Sequence, residues 1–304
     1  MSTMSTMSTM STMSTSSTLR TPRTLRTLAT LVLAVTCATA TAHAQWLNYK
    51  TPGVPRTPDG KPKLDAPAPR GPDGHPDLSG VWMHEMTPMS ELRRLYGARI
   101  DNAEKTDIPG MEIGTQHKYV WNILIDFPDR DAMVKPQTAP PAPRRQGGSC
   151  APGRAVAGFP VAGLLSEPIK IVQAPKTTVI LYEVGNDHRQ IYTDGRRLPP
   201  EINLPAYFGY SVGRWDGDTF VVESFGFNDQ TGLDAGGHRH SDQLRVTERL
   251  RRRDFGHLDY EMTFDDPKTY TRPFTIRVPH NLLPDEDIFE MFPENEKDCA
   301  HMKP

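Results

Sequence analysis

The chain has 304 residues, with 35 basic and 37 acidic side chains and a formal net charge of −2. This balance argues against a nucleic-acid-binding protein, which would carry a basic excess. Without its N-terminal segment the chain is still long enough for one large β domain or two small ones.

Residues 1–44 are predicted to be a signal peptide with a low-complexity N-terminal extension. A Met-Ser-Thr repeat is followed by three arginines and then by the apolar run LATLVLAVTCATATA. The tripeptide AHA fits the small-x-small cleavage pattern, so the mature chain is expected to begin at Gln45, in the periplasm or outside the cell. The run is too short to span a membrane. A lipid anchor on Cys37 is the alternative, although Ala34 stands where a lipobox has leucine.

Two cysteines, Cys150 and Cys299, remain after the predicted cleavage. In an oxidising compartment an even pair is more often a disulfide than a catalytic thiol. We therefore predict a Cys150–Cys299 disulfide.

Residues 45–76 are predicted to be a proline-rich linker or an arm that lies on the following domain. They contain a weak duplication, PRTPDGKPKLDAP and APRGPDGHPDLSG, in which Pro-Asp-Gly favours turns. Residues 77–304 are predicted to be a single β-barrel-like domain. It begins with a strand near Trp82 and a helix from Pro88 to about Asn102, and KYVWNILIDF fits either a buried strand or a short helix. A second proline-rich loop covers residues 136–148.

The remainder reads as eight short strands separated by turn signals. They are PIKIVQ, TTVILYEV, RQIYTDG, FGYSVGRW, DTFVVESF, QLRVTERLRR, HLDYEMTF and YTRPFTIRV. Regular spacing of this kind favours an up-and-down barrel or a sandwich.

Two hairpins can be aligned from the sequence. A three-residue loop at Asp254–Gly256, with Gly256 in the left-handed conformation, satisfies charge and apolar patterning at once. The expected opposite-charge partners are Arg251–Asp259, Arg249–Glu261 and Arg245–Asp265, and the apolar-face partners are Leu250–Tyr260, Val246–Phe264 and Glu248–Met262. A two-residue loop at Asp216-Gly217 would place Tyr210 opposite Glu223.

Several of these strings together resemble a family of secreted bacterial β-rich proteins without an established function. The strings are PDLSGVW, SVGRWDGDTFVVES, HSDQLRVTER and DDPKTYT. Gly80-Val81-Trp82 also resembles the first-strand motif of the lipocalin/calycin superfamily. That resemblance implies a tryptophan that closes one barrel end beneath a late arginine, for which Arg249, Arg251 and Arg277 are the candidates.

The expected fold is therefore mainly β, an antiparallel meander forming a calycin-like barrel, with one or two short helices in the N-terminal half. A β-sandwich is the alternative. Small barrels of this type hold one small ligand. The predicted ligand-binding residues are Trp82, Tyr210, Tyr260 and Met262.

Glu248 is the strongest candidate for chemistry. It lies on the apolar face of its strand, where burial would raise the pKa of an unpaired carboxyl and suit it to acid–base work. The alternative is that a neighbouring strand supplies an arginine or tyrosine and the pair is structural.

His238 and His240 stand two residues apart and are the candidate catalytic partners of Glu248. With Asp234 they could instead bind a divalent metal, although their glycine-rich context is typical of a loop with solvated histidines. No other cofactor is expected. The first functional hypothesis is binding of a small, partly apolar ligand. The alternative is an enzyme that uses Glu248 with a histidine for isomerisation, cyclisation or elimination. The sequence leaves the oligomeric state open.

Overall fold

The computed structural model describes residues 50–97, 117–136, 168–183, 187–229, 231–234 and 236–288. The predicted signal peptide, the Cys150–Cys299 disulfide, residues 137–148 of the second proline-rich loop and the predicted helix beyond Gly97 lie outside these residues. No helix in the described part of the chain is long and apolar enough to cross a membrane.

Two short helices, α1 (Met89–Tyr96) and α2 (Arg130–Met133), and a 3-10 turn at Lys118–Val120 interrupt the strands in the N-terminal half. KYVWNILIDF thus contains a 3-10 turn and is not a strand. The described strands are β1 (Gly80–His84), β2 (Ile169–Ala174), β3 (Thr177–Tyr182), β4 (His188–Tyr192), β5 (Tyr210–Asp216), β6 (Thr219–Phe225), β7 (Arg245–Arg252), β8 (His257–Asp265), β9 (Phe274–Arg277) and β10 (His280–Leu282).

The strands close into a barrel. Strands β1 to β8 pair in sequence order, and β10 closes the ring by pairing with both β1 and β8. β9 and β10 pair with successive parts of β8 and lie on either side of Pro279. Together they occupy the place of a ninth strand in the barrel. The predicted mainly β barrel is therefore confirmed, and a two-sheet sandwich is not the fold. It departs from a pure meander at β4–β5, which pair in parallel.

The predicted β7–β8 register is confirmed at every pair. Arg245, Arg249 and Arg251 stand directly opposite Asp265, Glu261 and Asp259, while Val246, Glu248 and Leu250 stand opposite Phe264, Met262 and Tyr260. The first set is exposed on β7 and the second is buried. Since side chains alternate across a strand, the buried set faces the barrel interior. The exposed arginines also reach other strands, as in the Arg249–Asp216 ion pair at 3.1 Å.

Two turn predictions are wrong. The β5–β6 loop is Gly217-Asp218, with Asp216 opposite Thr219 and Gly217 at φ 59°. Tyr210 consequently lies opposite Phe225, and Glu223 lies opposite Val212. A glycine with positive φ at the first loop position suits a type II′ turn. The predicted loop, Asp216-Gly217, therefore began one residue too early.

Gly256 does not adopt the predicted left-handed conformation. Its backbone N–H donates to the Leu64 carbonyl at 2.7 Å. A Cβ at this position would lie 2.4 Å from the Leu64 Cβ. Glycine is needed here for close approach of the N-terminal segment.

Residues 50–76, referred to below as the arm, lie against the barrel through two matching turns. In each, an arginine bridges to the proline six residues later and its Nη1 donates to the intervening glycine carbonyl, at 3.1 Å for Arg56 and 2.7 Å for Arg70. Each Nη2 then pairs with a barrel aspartate, Arg56 with Asp285 at 2.5 Å and Arg70 with Asp218 at 2.8 Å. The duplication seen in the sequence is thus a repeated attachment.

Replacing Gly256 with alanine is expected to lower the free energy of unfolding by about 1–3 kcal/mol, because the new methyl group must displace the arm. Gly71→Ala is the matched control, since its Cβ would meet the Asp73 side-chain carboxylate at 3.1 Å and the His75 carbonyl oxygen at 3.8 Å, an ordinary van der Waals distance. Urea denaturation of both variants measures the difference. Equal stability of the two would show that the arm does not press on Gly256.

Candidate functional site

One end of the barrel, at the β7–β8 turn, is sealed by Trp82 and Arg252. Trp82 is fully buried and its Nε1 donates to the Leu78 carbonyl at 2.9 Å. The Arg252 guanidinium lies 4.9 Å from the centre of the Trp82 ring. It donates to the Phe255 carbonyl at 3.1 Å from Nε and to the Asp77 carbonyl at 2.5 Å from Nη1. Burial lowers the pKa of Arg252 to about 10.

The arginine implied by the calycin resemblance is therefore Arg252, and the candidates Arg249, Arg251 and Arg277 are wrong. Arg252 shares the interior-facing parity of Glu248 and Leu250, whereas Arg249 and Arg251 have the opposite parity and are exposed. Arg277 pairs with Glu261 at 2.9 Å, and its side chain is 77% exposed. Strand alternation alone identifies the correct residue.

Glu248 forms a buried ion pair with Arg189 of β4 inside the barrel. The Arg189 side chain is 1% exposed and that of Glu248 is 0% exposed. Nη1 donates to Oε1 at 2.9 Å and Nη2 donates to Oε2, a bidentate contact of the strong, planar kind. The Tyr260 hydroxyl also donates to Oε1. The structural partner that the sequence left as an alternative is thus present.

Arg189 is held in place by two further strands. Its Nε donates to Ser211 Oγ of β5 at 3.0 Å, and its Nη2 donates to Ser224 Oγ of β6 at 2.7 Å. The two serine hydroxyls also bond to each other at 3.0 Å. Burying a charge is costly unless it is paired and hydrogen bonded, and this network meets both conditions. Tyr182, Arg189, Ser211, Ser224, Glu248 and Tyr260 are called the interior cluster below.

Tyr182 of β3 is the member of the interior cluster with hydrogen-bonding capacity left over. Its hydroxyl is buried and has no partner at normal hydrogen-bond geometry among the described residues, although Arg189 lies close enough to act on its pKa. Its ring stacks on Phe208, with centroids 5.8 Å apart and planes 12° apart. Burial raises the pKa of Tyr182 to about 12, although the nearby Arg189 charge opposes the rise. The hydroxyl is therefore protonated at neutral pH and able both to donate and to accept.

Three further histidines are buried next to this cluster, where β1, β10 and the 3-10 turn meet. His84 and His280 are directly opposite each other on β1 and β10, with ring centroids 6.4 Å apart. His117, just before the 3-10 turn, lies 5.9 Å from His84, and the Tyr260 ring lies 5.5 Å from His280. His84, His117 and His280 are called the histidine cluster below.

The predicted catalytic and metal-binding histidines lie elsewhere, in the loop between β6 and β7. His238 Nδ1 contacts Asp234 Oδ2 at 2.5 Å, and that oxygen also accepts from the Ile123 N–H at 2.7 Å. His240 has other partners than Asp234: its Nε2 lies 2.9 Å from Thr231 Oγ1 and its Nδ1 lies 3.0 Å from the Ser241 carbonyl. No group of three His, Cys, Asp or Glu side chains in the described part of the chain could hold a metal ion.

The predicted ligand-binding residues divide between the interior and the surface. Tyr260 and Met262 are buried in the barrel, and Trp82 seals its end. Tyr210 is 36% exposed and its hydroxyl donates to the Leu204 carbonyl, so it lies outside the interior.

Sequence reasoning missed Tyr182, Arg189 and the histidine cluster. Arg189 could have been found, because it shares the buried parity of Ile191 in HRQIY. His84 and His280 sit at strand ends, where alternation is a weak signal, and His117 reaches the barrel from a separate segment.

No protein-family model and no curated protein matches the chain. Among solved structures, it is similar to the crystal structure of a luciferase domain from the dinoflagellate Lingulodinium polyedrum, at 11% identity and a TM-score of 0.26. That alignment covers 87% of this chain and 64% of the luciferase domain chain.

Proposed function

We propose that the protein binds a small, partly apolar, uncharged molecule inside the barrel, with the Tyr182 hydroxyl as the anchoring group. The observation that carries the proposal is the buried Tyr182 hydroxyl, which has no hydrogen-bonding partner among the described residues. A buried polar group left in that state costs about 1–3 kcal/mol. A ligand oxygen or nitrogen would satisfy it.

Apolar surroundings favour a ligand with an apolar body. Tyr182 stacks on Phe208, and Ile169 and Ile180 are buried beside it on β2 and β3. Pockets that hold small molecules are largely apolar and carry a few placed polar groups. One hydroxyl beside aromatic and aliphatic side chains matches that composition.

The interior charges favour an uncharged ligand. Arg189 and Glu248 neutralise each other through a bidentate contact, so neither offers a free charge to a ligand ion. Burial lowers the pKa of His117 to about 2 and that of His280 to about 3, so both rings are neutral at pH 7. An ion entering this interior would lose its hydration without gaining a counter-ion.

The second candidate is an enzyme that uses Glu248 as a proton-transfer group. The observation in its favour is a histidine inside the barrel, His280, whose ring is 5.5 Å from that of Tyr260, the residue bonded to Glu248. The predicted partners His238 and His240 are in the β6–β7 loop and do not supply this role. We place binding first because Arg189 already engages both oxygens of Glu248.

Export to the periplasm or the medium is proposed on the arginine-flanked apolar run before Gln45. N-terminal sequencing of the exported product should begin at Gln45. A product that retains a lipid-modified Cys37 would refute signal peptidase cleavage after residue 44.

The binding proposal can be tested by a thermal-shift screen of the full-length chain with matched compounds, such as an aromatic alcohol, ketone and carboxylic acid of one carbon skeleton. A ligand at 100 times its Kd stabilises the folded state by about 2.7 kcal/mol. For a domain of this size that corresponds to roughly 5–10 °C in melting temperature. The uncharged compounds should raise the melting temperature and the acid should not. Stabilisation by the acid alone would overturn the uncharged class.

A further inference from the structure

We infer that the histidine cluster makes the closure of the segment His117–Val120 over β1 and β10 dependent on protons, so that acid releases this segment while the rest of the barrel remains folded. This inference goes beyond the proposed function, since it concerns the protein with or without a ligand. It rests on where three buried imidazoles meet and on which charges face them.

The cluster joins a short segment to the barrel wall. His84 and His280 belong to paired strands, whereas His117 belongs to the segment that packs over them. His84, His117 and His280 are 2%, 5% and 1% exposed. A proton can therefore reach His117 only when the segment moves away or the barrel unfolds.

Hydrogen bonds orient all three rings, but only the one at His117 requires a neutral imidazole. His280 Nδ1 donates to the Val278 carbonyl at 2.6 Å and His84 Nδ1 donates to the Glu85 carbonyl at 3.1 Å. His117 Nδ1 instead accepts from the Tyr119 N–H at 3.4 Å. Protonation of His117 would convert that acceptor into a donor and break the contact that starts the 3-10 turn.

The charges that face His117 and His280 oppose protonation. His84, His280 and Lys118 all lower the pKa of His117, after burial, and His84 also lowers that of His280. Neither ring has a carboxylate among the described groups that shift its pKa. Two tyrosine rings also lie nearby, Tyr119 at 4.9 Å from His117 and Tyr260 at 5.5 Å from His280. Asp126 engages Lys118 Nζ at 2.7 Å and the Tyr119 hydroxyl at 2.5 Å.

Besides the histidines, the segment is held by the burial of Tyr119 and Val120, each 4% exposed, and by the Tyr96 hydroxyl, which donates to the Lys118 carbonyl at 2.5 Å. The Lys118 N–H donates to Thr87 Oγ1 at 3.0 Å, and the Lys118–Asp126 pair is partly exposed and internal to the chain region 118–126. Downstream, the Ile123 N–H is anchored to the buried Asp234 at 2.7 Å. Within the described part of this segment, movement would therefore be confined to residues 117–122.

The direction of the pH effect follows from the two states. In the opened state a histidine titrates near 6.5, whereas in the closed state His117 titrates near 2. Below pH 6.5 the opened state thus binds more protons, and closure is progressively lost as pH falls from 6.5 towards 2. For one histidine the opened population should rise about 25-fold between pH 7 and pH 5, with a similar further factor if His280 also becomes accessible.

The test is hydrogen exchange of the full-length chain at pH 7 and pH 5, with each rate divided by the intrinsic rate at that pH. Protection of the Lys118, Tyr119 and Val120 amides should fall about 25-fold or more at pH 5. Protection in β6 and β7 (Thr219–Phe225 and Arg245–Arg252) should change far less. An equal fall in protection in all regions would show global acid unfolding. Unchanged protection at residues 118–120 would show that the cluster does not control closure. Either result overturns the inference.

Substitutions assign the effect to the cluster. His117→Gln should reduce the acid response of the 118–120 amides, and His117→Gln with His280→Asn should remove it. His257→Gln is the matched control, because His257 is partly exposed and paired with Asp254 at 2.6 Å. It should respond to acid as the unmodified protein does. If the variants do not fold, the comparison of regions in the unmodified chain still decides the inference.

Discussion

Replacing Arg189 with methionine is expected to lower the free energy of unfolding by about 3–5 kcal/mol, the effect of leaving one member of a buried ion pair without its partner. Glu248 is completely buried and would keep only the Tyr260 hydroxyl as a donor among the contacts described above. Ser211 and Ser224 would lose their guanidinium partner at the same time. Urea denaturation at pH 7 measures the change.

Two controls separate pairing from side-chain size. Arg214→Met removes an exposed ion pair with Glu223 and should change stability by at most about 1 kcal/mol. Arg189→Met combined with Glu248→Met removes both charges and should recover most of the loss, since apolar replacement of a whole buried pair is often neutral. A double variant as unstable as Arg189→Met alone would show that packing, and not the unpaired carboxylate, sets the cost.

Replacing Trp82 with alanine is expected to cost about 3–5 kcal/mol, because it opens a cavity in the sealed end of the barrel. It also removes the ring beneath Arg252 and the hydrogen bond to the Leu78 carbonyl. The matched control is Trp215→Ala. That indole is on the inward-facing side of β5 next to Phe220, but it is only partly buried and it stacks on His75 of the arm at 4.7 Å, so its loss should cost less. Similar melting temperatures for the two variants would contradict the sealing role of Trp82.

The register of β7 and β8 could be predicted because two independent patterns agree there. The opposite-charge partners and the apolar partners each require Arg251 to face Asp259, and a slip by one residue would place Val246 and Leu250 outside. The β5–β6 loop lacked that second constraint. Local chemistry alone favours Asp216-Gly217 as the turn, and the observed partner of Tyr210 is Phe225, two residues beyond the predicted Glu223.

The role of Glu248 could be predicted only in part. Its burial follows from strand alternation, but its partner Arg189 is 59 residues away and becomes adjacent only after the barrel closes. The histidines chosen from the sequence were those close together in the chain, His238 and His240. The three histidines of the histidine cluster come from β1, from β10 and from the segment before the 3-10 turn, which no local spacing connects.

The most direct test of the account is to measure melting temperature and ligand affinity together for Tyr182→Phe and Glu248→Gln, using an uncharged compound that stabilises the unmodified protein. Tyr182 is proposed to anchor the ligand, and Glu248 to stabilise the barrel wall. Tyr182→Phe should therefore keep or raise the melting temperature and lose affinity, about 1–3 kcal/mol for one hydrogen bond. Glu248→Gln should lower the melting temperature and leave the affinity of the folded protein unchanged. The reverse outcome, with affinity lost in Glu248→Gln and retained in Tyr182→Phe, would contradict the account and assign Glu248 to the ligand.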